Sequence, residues 1–178
     1  MASKEQSAFA LWLTGLPASG KSTITAHLVE QLREIGVNIT VLESDVLRKL
    51  FSSQPRYDEQ DREYFYGAIA FIGRVLTAHG IPVIFDATAN LRAYRNRARQ
   101  EITRFVEVFV DAPLEVCMRR DPKAIYRKAR DGEATQVPGL QAVYEPPEHP
   151  EIVIDADRED PGEAAQRIVA FLRSKQFV

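Results

Sequence analysis

The sequence predicts an α/β fold: a doubly wound, mostly parallel five-stranded sheet flanked by helices. Three observations predict it. Apolar, β-branched runs recur at residues 9–14, 38–42, 81–85, 105–110 and 152–154, and helical patterns fill most of the intervals. Val83-Ile84-Phe85 and residues 106–110 are continuously apolar rather than alternating, as strands covered on both faces must be. Directly after the first run stands Gly15-Leu16-Pro17-Ala18-Ser19-Gly20-Lys21-Ser22, a G-x-x-x-x-G-K-[ST] pattern set between strand and helix.

That octapeptide reads as a phosphate-binding loop. Its two glycines allow a tight turn whose backbone N–H groups converge on phosphate oxygens, at the positively polarised start of the next helix. Lys21 is expected to reach the β- and γ-phosphates and Ser22 to hold Mg²⁺ through its hydroxyl. Thr23 opens a helix over 23–33, in which Ile24, Leu28 and Leu32 recur at helical spacing. The second strand runs into Glu43-Ser44-Asp45 and a short helix over 46–51. In a parallel sheet ligands bind at the strands' carboxyl ends, so Glu43, Asp45, Asp86 and Asp111 should gather on one rim with Gly15. A kinase needs a group to accept the proton of the attacking hydroxyl, and Asp45 is the candidate, although an Asp there also suits a helix cap. Residues 52–62 are polar and turn-rich before a long helix to about residue 79. The third strand ends in Asp86, a candidate metal-associated carboxylate. An arginine-rich stretch, 92–99, precedes the fourth strand.

The segment 118–133 carries Arg119, Arg120, Lys123, Arg127, Lys128 and Arg130 against Asp121, Asp131 and Glu133. On one continuous helix Lys123, Arg127 and Arg130 would share a face and close over polyphosphate; the bland reading is a solvated helix face. Residues 131–150 hold four of the ten prolines and, with 52–62, are candidate substrate-covering loops.

With 178 residues, 45% of them hydrophobic, the chain is expected to form one domain over 1–178, with a mobile lid at about 119–150. A formal net charge of −2 argues against nonspecific nucleic-acid or membrane binding and favours a small-molecule partner. Cys117, the only cysteine, lies in an apolar context and reads as a small buried hydrophobe. No stretch approaches the roughly 20 apolar residues that span a bilayer, so a cytoplasmic protein is expected.

These motifs resemble the adenylylsulfate kinase family almost end to end. Residues 15–23 match its phosphate loop and 92–99 its arginine-rich helix start. Phe109-Val110-Asp111-Ala112-Pro113-Leu114-Glu115-Val116-Cys117, Arg120-Asp121-Pro122-Lys123-Ala124-Ile125-Tyr126 and Tyr144-Glu145-Pro146-Pro147-Glu148-His149-Pro150-Glu151 follow the family in order and spacing. The resemblance implies phosphorylation of the 3′-hydroxyl of adenosine 5′-phosphosulfate by Mg-ATP, in a homodimer. By it Asp45 matches the second acidic residue of the family's Asp-Gly-Asp element; the candidate Mg²⁺ residues remain Ser22 and Asp45, with Asp86 through water. Lys123 matches the lid lysine, Arg120 lies near the ATP adenine, Arg48 and Arg62 bind substrate, and Tyr57 stacks on its adenine.

The acceptor side departs from the family. Glu43-Ser44-Asp45 replaces Asp-Gly-Asp, Phe65 stands at a substrate-binding asparagine position, and Val137 stands where a second aromatic would close the adenine sandwich. Ala89-Asn90-Leu91 replaces a Ser-Pro-aromatic turn. A related kinase with another hydroxyl acceptor is the alternative. A nucleotide-dependent switch is a third reading, though the chain has neither an Asn-Lys-x-Asp guanine reader nor an Asp-x-x-Gly element after a strand.

Overall fold

A computed structural model describes residues 8–52 and 55–178. Residues 53 and 54 of the loop expected over 52–62, and 1–7 of the expected domain, lie outside the described residues. Five parallel strands, β1 (Ala10–Thr14), β2 (Thr40–Glu43), β3 (Val83–Asp86), β4 (Phe105–Asp111) and β5 (Ile152–Asp155), form one sheet in the order β2-β3-β1-β4-β5. β1 is central and every residue of it is buried. Its side chains alternate between two cores. Leu11 and Leu13 face Ile24, Leu28 and Leu32 of α1 (Lys21–Glu34) and Ile168 and Leu172 of α7 (Pro161–Ser174). Ala10 and Trp12 face the other layer, where α3 (Glu59–Ala78) contributes Tyr66 and Ile69 and α4 (Arg92–Glu101) contributes Tyr94 and Ala98. Trp12 stacks on Phe85 with centroids 4.4 Å apart and donates its indole N–H to the Ala87 carbonyl at 3.0 Å, so its one polar group is satisfied inside the core. Gly73 lets α3 come down onto that stack, because a Cβ there would overlap the Phe85 ring. The expected doubly wound architecture is therefore present.

Local sequence explains where the helices start. Asp58 caps α3 by accepting from the Asp61 N–H at 2.8 Å, and Asp160 caps α7 from Gly162 and Glu163, with Pro161 in its first turn. Two expectations are corrected. Asp45 does not cap the short helix α2 (Ser44–Phe51); it lies within the first turn, and Glu43 holds the cap position. Lys123, Arg127 and Arg130 do not share one helix either. α5 (Leu114–Arg120) stops at Asp121, and α6 (Ile125–Arg130) begins after Ala124, whose φ of 55° breaks the path between them. The Asp121 carboxylate, accepting from the N–H groups of Ile125 and Arg127, supports that break.

Residues 131–151 add an isolated bridge, Pro138 with Ala142, and divide into two parts with different jobs. Val137 is buried with Cys117 and Tyr126 beside the phosphate loop, with the partly buried Leu16 packed against them. The later part is fastened to α4. The Arg92 N–H donates to the Glu145 carboxylate at 2.8 Å, the Arg95 guanidinium to the Glu145 carbonyl at 2.7 Å, and Arg99 grips Glu151 at 2.6 and 2.8 Å. The arginine-rich stretch is thus a clamp for 145–151. Glu151 titrates below the ordinary carboxylate range: burial alone would raise it, but the Arg99 hydrogen bond and the Glu107 backbone outweigh that. Its contribution to stability is present above the unfolded value near pH 4.3 and is lost as pH falls through the lower folded value. An acid titration of thermal stability should therefore lose a step below about pH 4.3 that Glu151→Gln lacks.

Candidate active site

The carboxyl ends of the strands open into a cleft of about 740 Å³, within the range for small-molecule sites. Its floor is the phosphate loop. Gly15 passes so close to β4 that a Cβ there would collide with the Val110 carbonyl oxygen, so the tight start of the loop excludes any larger residue. Pro17, Ala18 and Ser19 carry the loop along the cleft wall, and Gly20 caps α1 with no side chain, leaving the first-turn N–H groups open toward the cleft. The buried Lys21 ammonium donates to the carbonyls of Gly15 and Leu16 at 3.1 and 2.9 Å. Burial lowers its pKa while Asp86 pulls it upward, so an arriving anion would relieve the cost of a cation held by neutral dipoles. Gly15 and Leu16 hold this lysine from beneath and do not themselves line the cleft.

Ser22 and Thr23 are exposed at the start of α1 and line the cleft. Across from them stand Asp86, nearly buried at the end of β3, and Asp45, half-exposed on α2. One hydroxyl and a small number of carboxylates suit Mg²⁺ shared with phosphate oxygens and water rather than a cage built wholly from protein. The donor set fits such an ion.

Lys123 reaches from the α5–α6 break across the cleft mouth and forms an ion pair with Asp45. That hydrogen bond, together with the nearby carboxylates, holds its pKa above the ordinary lysine value. Arg120 fastens the same segment to the loop: its guanidinium donates to the Ser19 carbonyl at 3.1 Å and the Ala156 carbonyl at 2.6 Å. The Tyr126 hydroxyl adds a bond to the Pro17 carbonyl at 3.0 Å.

The opposite end is walled by Arg48, Tyr57, Arg62, Tyr66 and Val137. Arg48 pairs with Asp61 at 2.8 Å and lies 4.9 Å from the Tyr57 ring centroid and 4.0 Å from that of Phe65. Phe65 is buried beneath Arg48 and does not line the cleft, which corrects its expected place on the substrate wall. The buried hub at this end is Arg62, in α3. Its guanidinium donates to the Tyr57 carbonyl at 2.8 Å, the Asn90 side-chain oxygen at 2.6 Å and the Gln136 carbonyl at 2.5 Å. Sequence reasoning missed Asn90 and Gln136 as partners of this arginine. For Asn90 the available signal was its place just past the carboxyl end of β3, where an amide has polar groups to satisfy near the ligand rim.

A phosphate loop on the central strand, a cationic segment across the cleft mouth and carboxylates facing the loop define a nucleotide-dependent phosphotransferase of the phosphate-loop class. A model of the adenylylsulphate kinase family matches residues 7–155. The adenylyl-sulfate kinase of Synechococcus sp. (strain JA-3-3Ab) is 39% identical over 168 residues, 94% of this chain and 96% of that protein. The probable adenylyl-sulfate kinase of Pyrococcus abyssi is 37% identical over 161 residues, 90% of this chain and 92% of that protein. Among solved structures, the Mycobacterium tuberculosis APS kinase in complex with AMPPNP and APS matches with a TM-score of 0.88 at 32% identity, covering 93% of this chain and 98% of that one. The chain belongs to the adenylylsulphate kinase family. Among the described residues no helix is long and apolar enough to cross a membrane.

Proposed function

We propose that this enzyme transfers the γ-phosphoryl group of ATP to the 3′-hydroxyl of adenosine 5′-phosphosulfate. The observation that carries the reading is the Asp45–Lys123 pair, which stands across one cleft from Lys21 and the open start of α1. The phosphate loop and Lys21 bind the polyphosphate, with Arg120 flanking the nucleotide. Ser22, Asp45 and, through water, Asp86 would hold Mg²⁺, which when bound neutralises phosphate charge. On binding, Lys123 exchanges Asp45 for phosphate oxygens, freeing the carboxylate. The acceptor oxygen then forms its bond to the γ-phosphorus as the bond to the β–γ bridging oxygen breaks; the hydroxyl proton passes to Asp45 and ADP leaves. Arg48, Arg62 and Tyr57 bind the acceptor, and Val137 offers it an apolar wall.

The test is ADP release from Mg-ATP with and without adenosine 5′-phosphosulfate, with the product weighed for one added phosphate. A 3′-phosphorylated product is expected. ATP binding without stimulation by this acceptor would instead favour another hydroxyl compound, the reading that the altered turn at Ala89-Asn90-Leu91 supports. The homodimer is a proposal from the family resemblance, and a sedimentation measurement decides it; the cytoplasmic location is a proposal from the sequence.

A further inference from the structure

We infer that Asn90 is a positioning residue for the acceptor site, acting through Arg62. The inference rests on the acceptor reading above. Asn90 is nearly buried, and its side-chain oxygen, side-chain nitrogen and backbone carbonyl are all used. The side-chain oxygen accepts from Arg62 at 2.6 Å, the side-chain nitrogen donates to the Val143 carbonyl at 2.8 Å, and the backbone carbonyl accepts from the Glu145 N–H at 2.7 Å. One residue at the exit of β3 therefore joins the acceptor-side arginine to the segment that returns from the cleft toward α4.

Arg62 draws in two further segments, Tyr57 ahead of α3 and Gln136 on the cleft wall. Its three acceptors among the described residues are uncharged, whereas neighbouring Arg48 is paired with Asp61. A guanidinium has five N–H donors, so Arg62 keeps donors and its charge for an anionic group while neutral dipoles fix its plane. An amide suits this task better than a carboxylate. Aspartate at position 90 would hold Arg62 equally well but cancel the charge that the acceptor's anionic group needs, and it would lose the bond to Val143.

The experiment is a double-mutant cycle on binding of adenosine 5′-phosphosulfate, measured by calorimetry on the full chain with Asn90→Ala, Arg62→Ala and both together. Asn90→Ala should weaken acceptor binding about 10- to 100-fold, the scale of a hydrogen bond to a buried charged group, while ATP binding changes little. In the Arg62→Ala background the same substitution should change acceptor binding less than about 3-fold, because its partner is already gone. Additive effects in the cycle would overturn the inference. Asn90→Asp, which keeps the oxygen toward Arg62, should also weaken the acceptor; unchanged affinity there would overturn it too. If the unsubstituted chain does not bind this acceptor, the functional reading fails, and Asn90 is judged by amide hydrogen exchange in the free protein. Residues 134–145 should then exchange faster in Asn90→Ala while 15–24 do not, and unchanged protection of 134–145 would refute the role of Asn90 as their anchor.

Discussion

Asp45→Asn is expected to lower turnover by about 10²–10⁴-fold, the usual contribution of a positioned proton acceptor. The substitution removes the basic carboxylate but keeps an oxygen that can still accept from Lys123. Asp45 and Lys123 are both about half exposed, and an exposed pair contributes about 0–1 kcal/mol, so the fold should tolerate the change. ATP affinity measured without Mg²⁺, where only the exposed pair with Lys123 is altered, should shift by no more than about 5-fold on the same scale. The comparison requires saturation kinetics in both substrates and a melting curve for each protein. Turnover within about 10-fold of the unsubstituted enzyme, with ATP binding intact, would remove Asp45 from the role of base.

The parts of this site that were legible in the sequence are those built from neighbours in the chain. The phosphate loop is one continuous segment between a buried strand and an amphipathic helix, so its pattern and its context could be read together. The strands were legible because burial on both faces demands continuous apolar runs. Contacts across large separations were not. Nothing local says that Arg92, Arg95 and Arg99 grip a segment about fifty residues later, and an arginine-rich helix start looks the same whether it clamps backbone or faces a ligand. The spacing of Lys123, Arg127 and Arg130 allows one helix, but the backbone turn at Ala124 decides otherwise. Position in the family pattern alone puts Phe65 at the substrate; its ring instead supports Arg48 from behind. Asn90 shows in the sequence as a departure from a family pattern and by its place after β3, but its meaning depends on Arg62 and Val143 arriving from elsewhere.

The largest loss of stability is expected from Glu107→Ala. Glu107 lies on β4 beneath α4, where its carboxylate accepts from Arg95 at 2.6 Å and Arg99 at 3.3 Å. Arg95 is 1% exposed, and its other donors go to the carbonyls of Ala89 and Glu145. Truncating the glutamate would leave a guanidinium buried with no carboxylate beside it, which costs about 3–5 kcal/mol. That is a large share of the roughly 5–15 kcal/mol that holds a typical domain folded. For a chain of this length the melting temperature should fall by roughly 6–20 °C. The penalty belongs to the unpaired charge rather than to the lost contact, so Glu107→Met combined with Arg95→Met should recover much of the loss. Thermal and denaturant unfolding of the two variants decides the matter: a loss under about 1 kcal/mol for Glu107→Ala would mean that water reaches Arg95, and the pair would then be a surface interaction rather than part of the frame that holds 145–151 against α4.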